Sequence, residues 1–324
     1  MINIKLFFLL GFFTLFLFSS LSLIFGAVNI DIIKLLEADI GSAEYFTLYE
    51  YRLPRVILAI LVGGMLALSG ALVQGVIRNP LASPDILGIN HGAGLAAVAF
   101  ITFLPNTSTN YLPYVSLAGG LLAAMLLWYL VGSKKGNIKF AITGIAIAAF
   151  FASSIDFIML IKPIEINNAL LWLTGSLWGR SWPQILIILP WTILIPFGVI
   201  LAKKINIIDL GNDSAISLGG NPEATKKIAL IVSVGLTASC VSVCGPIGFL
   251  GLIAPHLTRF LVGGKHQHLL PASILVGANI MLLADFVARN INPPIELPAG
   301  IITAILGGPY FIWLLIKMGK TNVN

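Results

Sequence analysis

Long apolar runs alternate with short polar breaks along the whole chain, and this pattern predicts helices that cross a membrane. A crossing helix needs about 20 mainly apolar residues. The chain offers ten runs of roughly that kind, the third of them short and rich in glycine. We therefore predict an all-α, polytopic membrane protein with about ten transmembrane helices in a single transmembrane domain over residues 1–324. The predicted spans are residues 6–30, 55–77, 91–104, 114–131, 140–161, 185–202, 228–244, 247–262, 270–288 and 297–316.

A short aromatic stretch, residues 167–180, is too short to cross a membrane alone. Tryptophan side chains favour the boundary between lipid and water. We therefore predict a helix that lies at the outer interface, with Trp172, Trp178 and Trp182 at headgroup depth.

The longest polar break in the second half of the chain, residues 205–230, predicts two short helical pieces. Asn212 or Asp209 is expected to cap the first piece, and the glycine at 219 to end it in a left-handed turn. Asn221 is suited to cap the next helix, because proline follows it at the first helical position. We expect residues 205–222 to form a compact surface on the cytoplasmic side, since lysine pairs flank it.

Composition excludes a soluble protein. Of 324 residues, 58% are hydrophobic and 10% charged, and the mean hydropathy is +0.98. The net charge of +6 does not indicate nucleic-acid binding, because the basic residues lie mainly between apolar runs. With ten spans, both termini are expected in the cytoplasm, and this orientation places 13 Lys and Arg residues inside and six outside, as the positive-inside rule requires.

The chain has little that suggests enzyme chemistry. Cys240 and Cys244 lie four residues apart in an apolar run and are interpreted as packing residues rather than a disulfide. We interpret His91 and His256 as structural, and the 266–268 stretch as a solvated loop. No side-chain cluster has the spacing of a metal site, no P-loop motif is present, and we expect no cofactor and no catalytic residues.

Asp156 and three arginines are candidates for function, and two small-residue stripes indicate close helix packing. Gly63, Ala67, Ala71 and Gly75 recur every fourth residue, which favours close approach of another helix. Asp156 continues a similar stripe, so we expect it to face a neighbouring helix, and an acid within a membrane is a functional candidate.

The arginines are Arg52, Arg55 and Arg289. All three are predicted on the outer side, where the positive-inside rule disfavours basic residues. They could anchor lipid headgroups, with Arg289 also pairing with Asp285 one turn earlier. Alternatively they form a docking patch for an acidic partner outside the membrane.

Several stretches together resemble the permease subunits of ABC importers for iron-siderophore complexes, haem and vitamin B12. The resemblance covers nearly the whole chain. The stretches are RLPR (52–55), NPLASPDILGINHGAG (79–94), G-x-x-x-A-x-x-L-G (211–219), GPIGFLGLIAPHLTR (245–259), ADFVAR (284–289) and ELPAGIITAILGGPYFIWLL (296–315). Three stretches are similar to the iron(III) dicitrate branch of this family. They are EYRLPR (50–55), NPLASPDILG (79–88) and NNALLWLTGSLWGR (167–180).

The resemblance implies a partner set and a mechanism. A second permease, a paralogue or an identical copy, would complete the pathway in the inner membrane. Two cytoplasmic ATPases would drive it, and a periplasmic or lipid-anchored binding protein would deliver a ferric chelate. The chain alone would then be no enzyme, and no nucleic acid is expected as a partner.

The resemblance also implies roles for particular residues. Arg52, Arg55 and Arg289 would meet acidic residues of the binding protein, and Arg180 fits an anionic chelate. The helices that seat in the ATPase and the residues of the inner gate or pathway form two further groups. The first group is Asp209, Gly211, Ala215, Leu218 and Gly219, and the second is Asn79, Leu81, Gly136, Asn137 and Asp156.

Three alternatives remain open at this point. The first is a haem or vitamin B12 importer of the same family. The second is an ion-coupled secondary transporter that uses Asp156 and Asp285, although such transporters carry inverted repeats that the six-plus-four division of spans does not suggest. The third is an intramembrane lipid-modifying enzyme, for which the chain offers only Asp209 and Asp213 as a close acidic pair beside the membrane.

Overall fold

The computed structural model describes residues 3–26, 42–132, 137–163 and 166–321, and no β-strand is found in these ranges. Thirteen helices form the described fold, and all are α-helical except that the seventh contains a 3-10 segment at Leu189–Ile193. In chain order they are α1 (Ile4–Ile24), α2 (Leu53–Ile77), α3 (Ile89–Phe103), α4 (Leu112–Val131), α5 (Asn137–Ile161), α6 (Ile166–Leu173), α7 (Trp182–Ile200), α8 (Ala202–Asp209), α9 (Asn212–Ser217), α10 (Pro222–Cys244), α11 (Leu250–Val262), α12 (His266–Asn290) and α13 (Ala299–Thr321).

The prediction of an all-α polytopic membrane fold is confirmed. Eight helices of the described chain are long and apolar enough to cross a membrane, and α3 and α11 are shorter apolar helices. Together they account for the ten predicted spans, although α10 and α12 begin several residues earlier than predicted. The part of the first predicted span beyond residue 26 lies outside the described residues. A short α-helical turn (Ala43–Tyr45) and a π-helical segment (Phe46–Arg52) lead into α2 without a break.

The small-residue stripe on α2 allows α12 to pack directly against it, which confirms the predicted close approach of another helix. A Cβ atom added at Gly63 would lie 2.4 Å from the backbone oxygen of Gly277 on α12. From the other side, a Cβ at Gly277 would lie 2.4 Å from the Cβ of Ala67. Backbones that approach this closely gain dispersion contacts, which stabilise helix pairs in lipid, where the hydrophobic effect contributes little. With α10, which is equally enclosed, α2 forms the centre of the bundle.

The two short apolar helices, α3 and α11, begin inside the bundle rather than at its surface. At Gly70, in the second half of α2, an added Cβ would lie only 1.7 Å from the backbone oxygen of Gly251 in the first turn of α11. Pro84, which precedes α3, lies against the same Gly251. The stretch between α2 and α3 is exposed only at its start, because Ala82, Ser83 and Pro84 are buried. The turn therefore folds back into the protein before α3 starts.

The aromatic stretch after α5 is only partly helical. α6 ends at Leu173, and the chain from Thr174 to Arg180 is not helical. Trp178 is exposed, whereas Trp172 is buried against α3 and α10, and the place of both at headgroup depth stays a prediction. The two cysteines are free and buried, which confirms their interpretation as packing residues.

Candidate functional site

A buried cluster of charges joins three helices at the end of the bundle where α2 begins. Arg55 is 2% exposed, and its Nε donates to both carboxylate oxygens of Asp285 on α12 at 3.0 and 3.1 Å. Its Nη1 lies 2.5 Å from the Glu296 carboxylate in the loop before α13. Arg289 lies one turn after Asp285 and pairs with it at 3.3 Å. We call Arg52, Arg55, Asp285, Arg289 and Glu296 the arginine cluster.

Two of these arginines hold the end of α1. Arg52 Nη1 donates to the backbone oxygens of Leu23 and Ile24 at 2.8 and 2.6 Å. Arg289 Nη2 donates to the oxygen of Ser22 at 3.2 Å. The last carbonyls of a helix have no partner within the helix and carry the negative end of its dipole. Cationic side chains therefore complete the hydrogen bonding of α1 where it meets α2 and α12.

The three arginines were predicted on the outer side as headgroup anchors or a docking patch, but their side chains are buried rather than exposed. Arg52, Arg55 and Arg289 are 4%, 2% and 2% exposed. A buried charge is stable only when it is paired and hydrogen-bonded, and the acids and helix carbonyls around them meet this need. The pairing of Arg289 with Asp285 is confirmed. Contact with a binding protein stays a prediction.

The opposite end of the bundle carries the short helices α8 and α9, which we call the α8–α9 surface. Glycine is required at both ends of α9, because Gly211 and Gly219 have φ angles of +112° and +77°. Gly220 N–H donates to Ala215 O at 2.8 Å and Gly219 N–H to Ile216 O at 2.9 Å. This pair of bonds is a Schellman motif, which satisfies the last carbonyls of a helix. Neither Asn212 nor Asp209 caps α9 with its side chain, so that prediction is wrong.

The side chains of the α8–α9 surface divide into buried and exposed groups. Ala215 is the buried residue of α9, while Leu210, Ile216 and Leu218 are each more than 60% exposed. An exposed cluster of large apolar side chains in a polar segment is a common mark of an interaction site. Asn221 caps α10 as predicted, accepting from Ala224 N–H at 3.0 Å. The first predicted piece is thus present as α9, but the piece after Asn221 is the start of the long helix α10, and the second short helix here is α8.

The predicted gate residues lie near the same end. Asn79 is exposed, and its side chain accepts from Leu81 N–H at 2.9 Å, which fixes the turn after α2. Arg78 ends α2 in the left-handed region and donates to Asn212 Oδ1 at 2.7 Å. Asn137 is the first residue of α5, but its side chain, like the whole of residue 136, lies outside the described residues.

The two remaining candidates are on other parts of the chain. Asp156 is exposed on α5, so no helix among the described residues covers it, and its contact with a neighbouring helix stays a prediction. Arg180 is partly buried in the loop before α7. Its Nε has no hydrogen-bond partner among the described residues. Burial, which disfavours the charged form, lowers the pKa of the Arg180 guanidinium from its usual value.

A sequence profile of the FecCD transport family matches residues 13–317, which is nearly the whole chain. The chain belongs to the FecCD transport family. Membership in this permease family and eight apolar helices together indicate a multi-pass inner membrane protein.

Relatives of this FecCD chain are similar over most of their length. The chain is 46% identical over 279 residues to the Fe(3+) dicitrate transport system permease protein FecD of Escherichia coli K12, covering 86% of this chain and 87% of that protein. It is 48% identical over 274 residues to the Fe(3+)-citrate import system permease protein YfmE of Bacillus subtilis 168, covering 83% and 82%. One solved structure, described as an inward-facing conformation of a metal-chelate type ABC transporter, has a TM-score of 0.87 and 29% identity, covering 97% and 99% of the two chains.

Sequence reasoning missed three polar residues of this FecCD family chain. Glu296 is part of the arginine cluster, and only its position in the loop between α12 and α13 could have suggested this. His266 was interpreted as solvated, but it is fully buried as the first residue of α12. Asn206 bonds to His266 from α8, and nothing in its local sequence distinguishes it from a surface asparagine.

Proposed function

We propose that this protein is a permease subunit of a binding-protein-dependent ABC importer for a ferric chelate, with ferric citrate as the first candidate. The observation that carries the proposal is the match of most of the chain to relatives named as ferric citrate permeases, at 46% and 48% identity. Haem and vitamin B12 importers of the same family are the second candidate for the cargo. A haem or vitamin B12 importer would have the same partners and would differ only in its substrate.

The α8–α9 surface is the proposed contact with the ATPases. Its exposed apolar side chains, above all Leu218, would be buried by a partner, and flanking lysines give the surface a positive charge. The orientation that these lysines indicate places the surface, with both termini, in the cytoplasm. ATP hydrolysis belongs to the partners, so the chain itself is a transport subunit and not an enzyme.

The binding protein is proposed to dock at the opposite end, where the arginine cluster lies. Since Arg52, Arg55 and Arg289 are buried, we infer that they act from inside. They would hold α1, α2, α12 and the loop with Glu296 in the arrangement that the binding protein meets. This replaces the direct contact with acidic residues that the sequence suggested.

The pathway is proposed to run between this subunit and a second permease, which is a paralogue or an identical copy. Asp156 supports this, because an exposed carboxylate within a crossing helix is costly in lipid and is stable beside a water-filled pathway. Arg180 would attract an anionic chelate at the entrance, since no described carboxylate pairs with it and its Nε is unpartnered. Asn79, Leu81 and Asn137 would lie at the opposite, inner gate.

Uptake of radiolabelled iron by a strain lacking the gene tests the proposal. Cells complemented with the wild-type gene are expected to take up ferric citrate. We expect the Arg180→Gln variant to take up less of it than the Arg180→Lys variant, which keeps the positive charge. Ferric hydroxamate and haem with the same iron label, and vitamin B12 with a cobalt label, are tested in parallel. Uptake of none of these substrates in the complemented strain would exclude the proposed function, and selective uptake of haem or vitamin B12 would support the second candidate.

The energy source that drives transport distinguishes an ABC importer from an ion-coupled transporter. The permeases, ATPases and loaded binding protein are reconstituted together in proteoliposomes without an ion gradient. Transport that requires ATP hydrolysis is expected. Transport by the permease alone, driven by a proton or sodium gradient through Asp156 and Asp285, would contradict the proposal.

A further inference from the structure

The first turn of α12 is capped by a side chain from another helix. Lys265, at the N-cap position of α12, provides no side-chain cap. Asn206 on α8 takes this role, because its Oδ1 accepts from the His266 backbone N–H at 2.9 Å. The Asn206 amide nitrogen donates to Gln267 Oε1. A cap usually comes from the residue just before the helix, so here the capping ties α8 to α12.

His266 strengthens this connection. Its ring is fully buried, and its Nδ1 lies 2.8 Å from Asn206 Oδ1 and 3.5 Å from Asp209 Oδ2. Because the Asn206 amide oxygen can only accept, we infer that Nδ1 carries the proton in this contact. We call Asn206, Asp209, His266 and Gln267 the α8–α12 joint.

The joint is pressed against the central helix of the bundle. At Gly75 on α2, an added Cβ would lie 2.9 Å from His266 Nε2 and 2.7 Å from Ile205 Cγ2 on α8. Only glycine leaves room for both side chains at this point. A displacement of α8 therefore meets the end of α2 and the start of α12 at once, with little free space to absorb it.

α12 links the joint to the arginine cluster. Its 25 residues span about 37 Å at 1.5 Å per residue, and Asp285 and Arg289 lie in its last two turns. Close contact with α2 at Gly277 holds it along its length. A movement at His266 can thus reach the ion pairs at the other end through one continuous helix, which can move as a rigid element.

The joint also lies at the surface next to α9. An open groove of about 430 Å³ separates α8 from the turn before α12, and it is lined by Asn206, Ile207, Leu210, Gly264, Lys265 and Gln267. Leu210 belongs to both this groove and the α8–α9 surface. A partner that pushes on the surface therefore acts directly beside Asn206.

We propose that Asn206 and His266 are positioning residues that transmit displacement of the α8–α9 surface to α12, and through α12 to the arginine cluster. This inference rests on the proposed function, because it requires an ATPase that moves the surface. It assigns the transmission to a side-chain contact between α8 and α12, in addition to the apolar contact that the partner makes with α9.

The test compares variants of the assembled importer in proteoliposomes. Asn206→Ala and His266→Leu remove the joint, whereas Asn206→Asp keeps the acceptor for His266 and His266→Asn keeps a donor at the position of Nδ1. Asn3→Ala is the matched control, because Asn3 caps α1 through Lys5 N–H at 3.0 Å and lies outside the joint. ATPase retention, ATP hydrolysis and chelate transported per ATP are measured for each.

The two joint-breaking variants are expected to retain the ATPases and hydrolyse ATP, with chelate transported per ATP reduced about tenfold or more, a typical size for coupling between sites. The two conservative variants should recover most of this ratio, and Asn3→Ala should leave it unchanged. An unchanged ratio in Asn206→Ala, an equal loss in Asn3→Ala, or loss of assembly in both Asn206→Ala and His266→Leu would overturn the joint. A wild-type complex that moves no ferric chelate with ATP would instead overturn the proposed function.

Discussion

Arg55 and Asp285 are 230 residues apart in the sequence, yet their side chains form a buried ion pair with an N–O distance of 2.9 Å. The pair fixes the start of α2 against the end of α12. Glu296 is a second carboxylate partner of Arg55, and Arg289 is a second cationic partner of Asp285. The cluster thus holds the end of the bundle at which we propose that the binding protein docks.

Removal of the Asp285 charge is expected to destabilise the protein strongly. In Asp285→Asn the guanidinium groups of Arg55 and Arg289 lose their shared buried partner, and breaking a buried pair in this way costs about 3–5 kcal/mol. Thermal unfolding of the purified permease in detergent measures the effect. Glu50→Gln, which removes an exposed acid just before α2, is the control. Equal unfolding temperatures for the two variants would contradict a structural role of the cluster.

The contact between Gly70 and Gly251 predicts a difference between two glycine substitutions. In Gly70→Ala the new methyl group would lie 1.7 Å from a backbone oxygen, so α2 and α11 must separate. Gly308→Ala on α13 meets nothing within 4 Å and gains about 1 kcal/mol in helix propensity. We expect Gly70→Ala to lower the unfolding temperature sharply and Gly308→Ala to leave it unchanged or raise it. The same result for both would mean that α2 and α11 are less closely packed than described.

The sequence predicted the helices well because each depends on local pattern. Apolar length identified the spans, and the stripe of Gly63 to Gly75 identified the close contact of α2 before its partner was known. Proline and asparagine at 222 and 221 marked the start of α10. These features depend on properties of neighbouring residues, which the sequence displays directly.

The polar contacts could not be predicted in the same way, because they join residues that are distant in the chain. Arg52 and Arg55 were interpreted as exposed, since nothing nearby in sequence shows the carbonyls of α1 or the carboxylate of Glu296. His266 was interpreted as solvated because its local sequence is polar, although α8 and α2 cover it. Burial of a charge is decided by tertiary packing, and local composition does not report it.

The exposed side chain of Leu218 predicts an effect on assembly without an effect on folding. Leu218→Asp places a charge in the proposed contact with the ATPase, where burial of an unpaired carboxylate is unfavourable. We expect the ATPases to be lost from the purified complex while the permease keeps its unfolding temperature, since Leu218 is 64% exposed. Leu218→Met, which keeps an apolar side chain, should retain them. Full ATPase retention by Leu218→Asp would exclude Leu218 from the interface.

Asp209 predicts a pH dependence of stability. Burial raises the pKa of its carboxyl above the usual value, although Arg259 and Arg78 act in the opposite direction. The folded protein therefore binds this proton more tightly than the unfolded chain does. The resulting stabilisation is complete below about pH 4, the ordinary pKa of aspartate, and is lost as the pH rises through the raised value. Asp209→Asn removes this contribution.

Unfolding temperatures of the purified permease between pH 4 and pH 7 measure this effect. We expect the wild type to lose stability relative to Asp209→Asn as the pH rises through this range. Asp213→Asn, on the exposed face of α9, removes the same charge and controls for charge alone. A wild type that instead gains stability relative to Asp209→Asn on raising the pH would show that the arginines outweigh burial, because the carboxylate would then be the form that the fold stabilises.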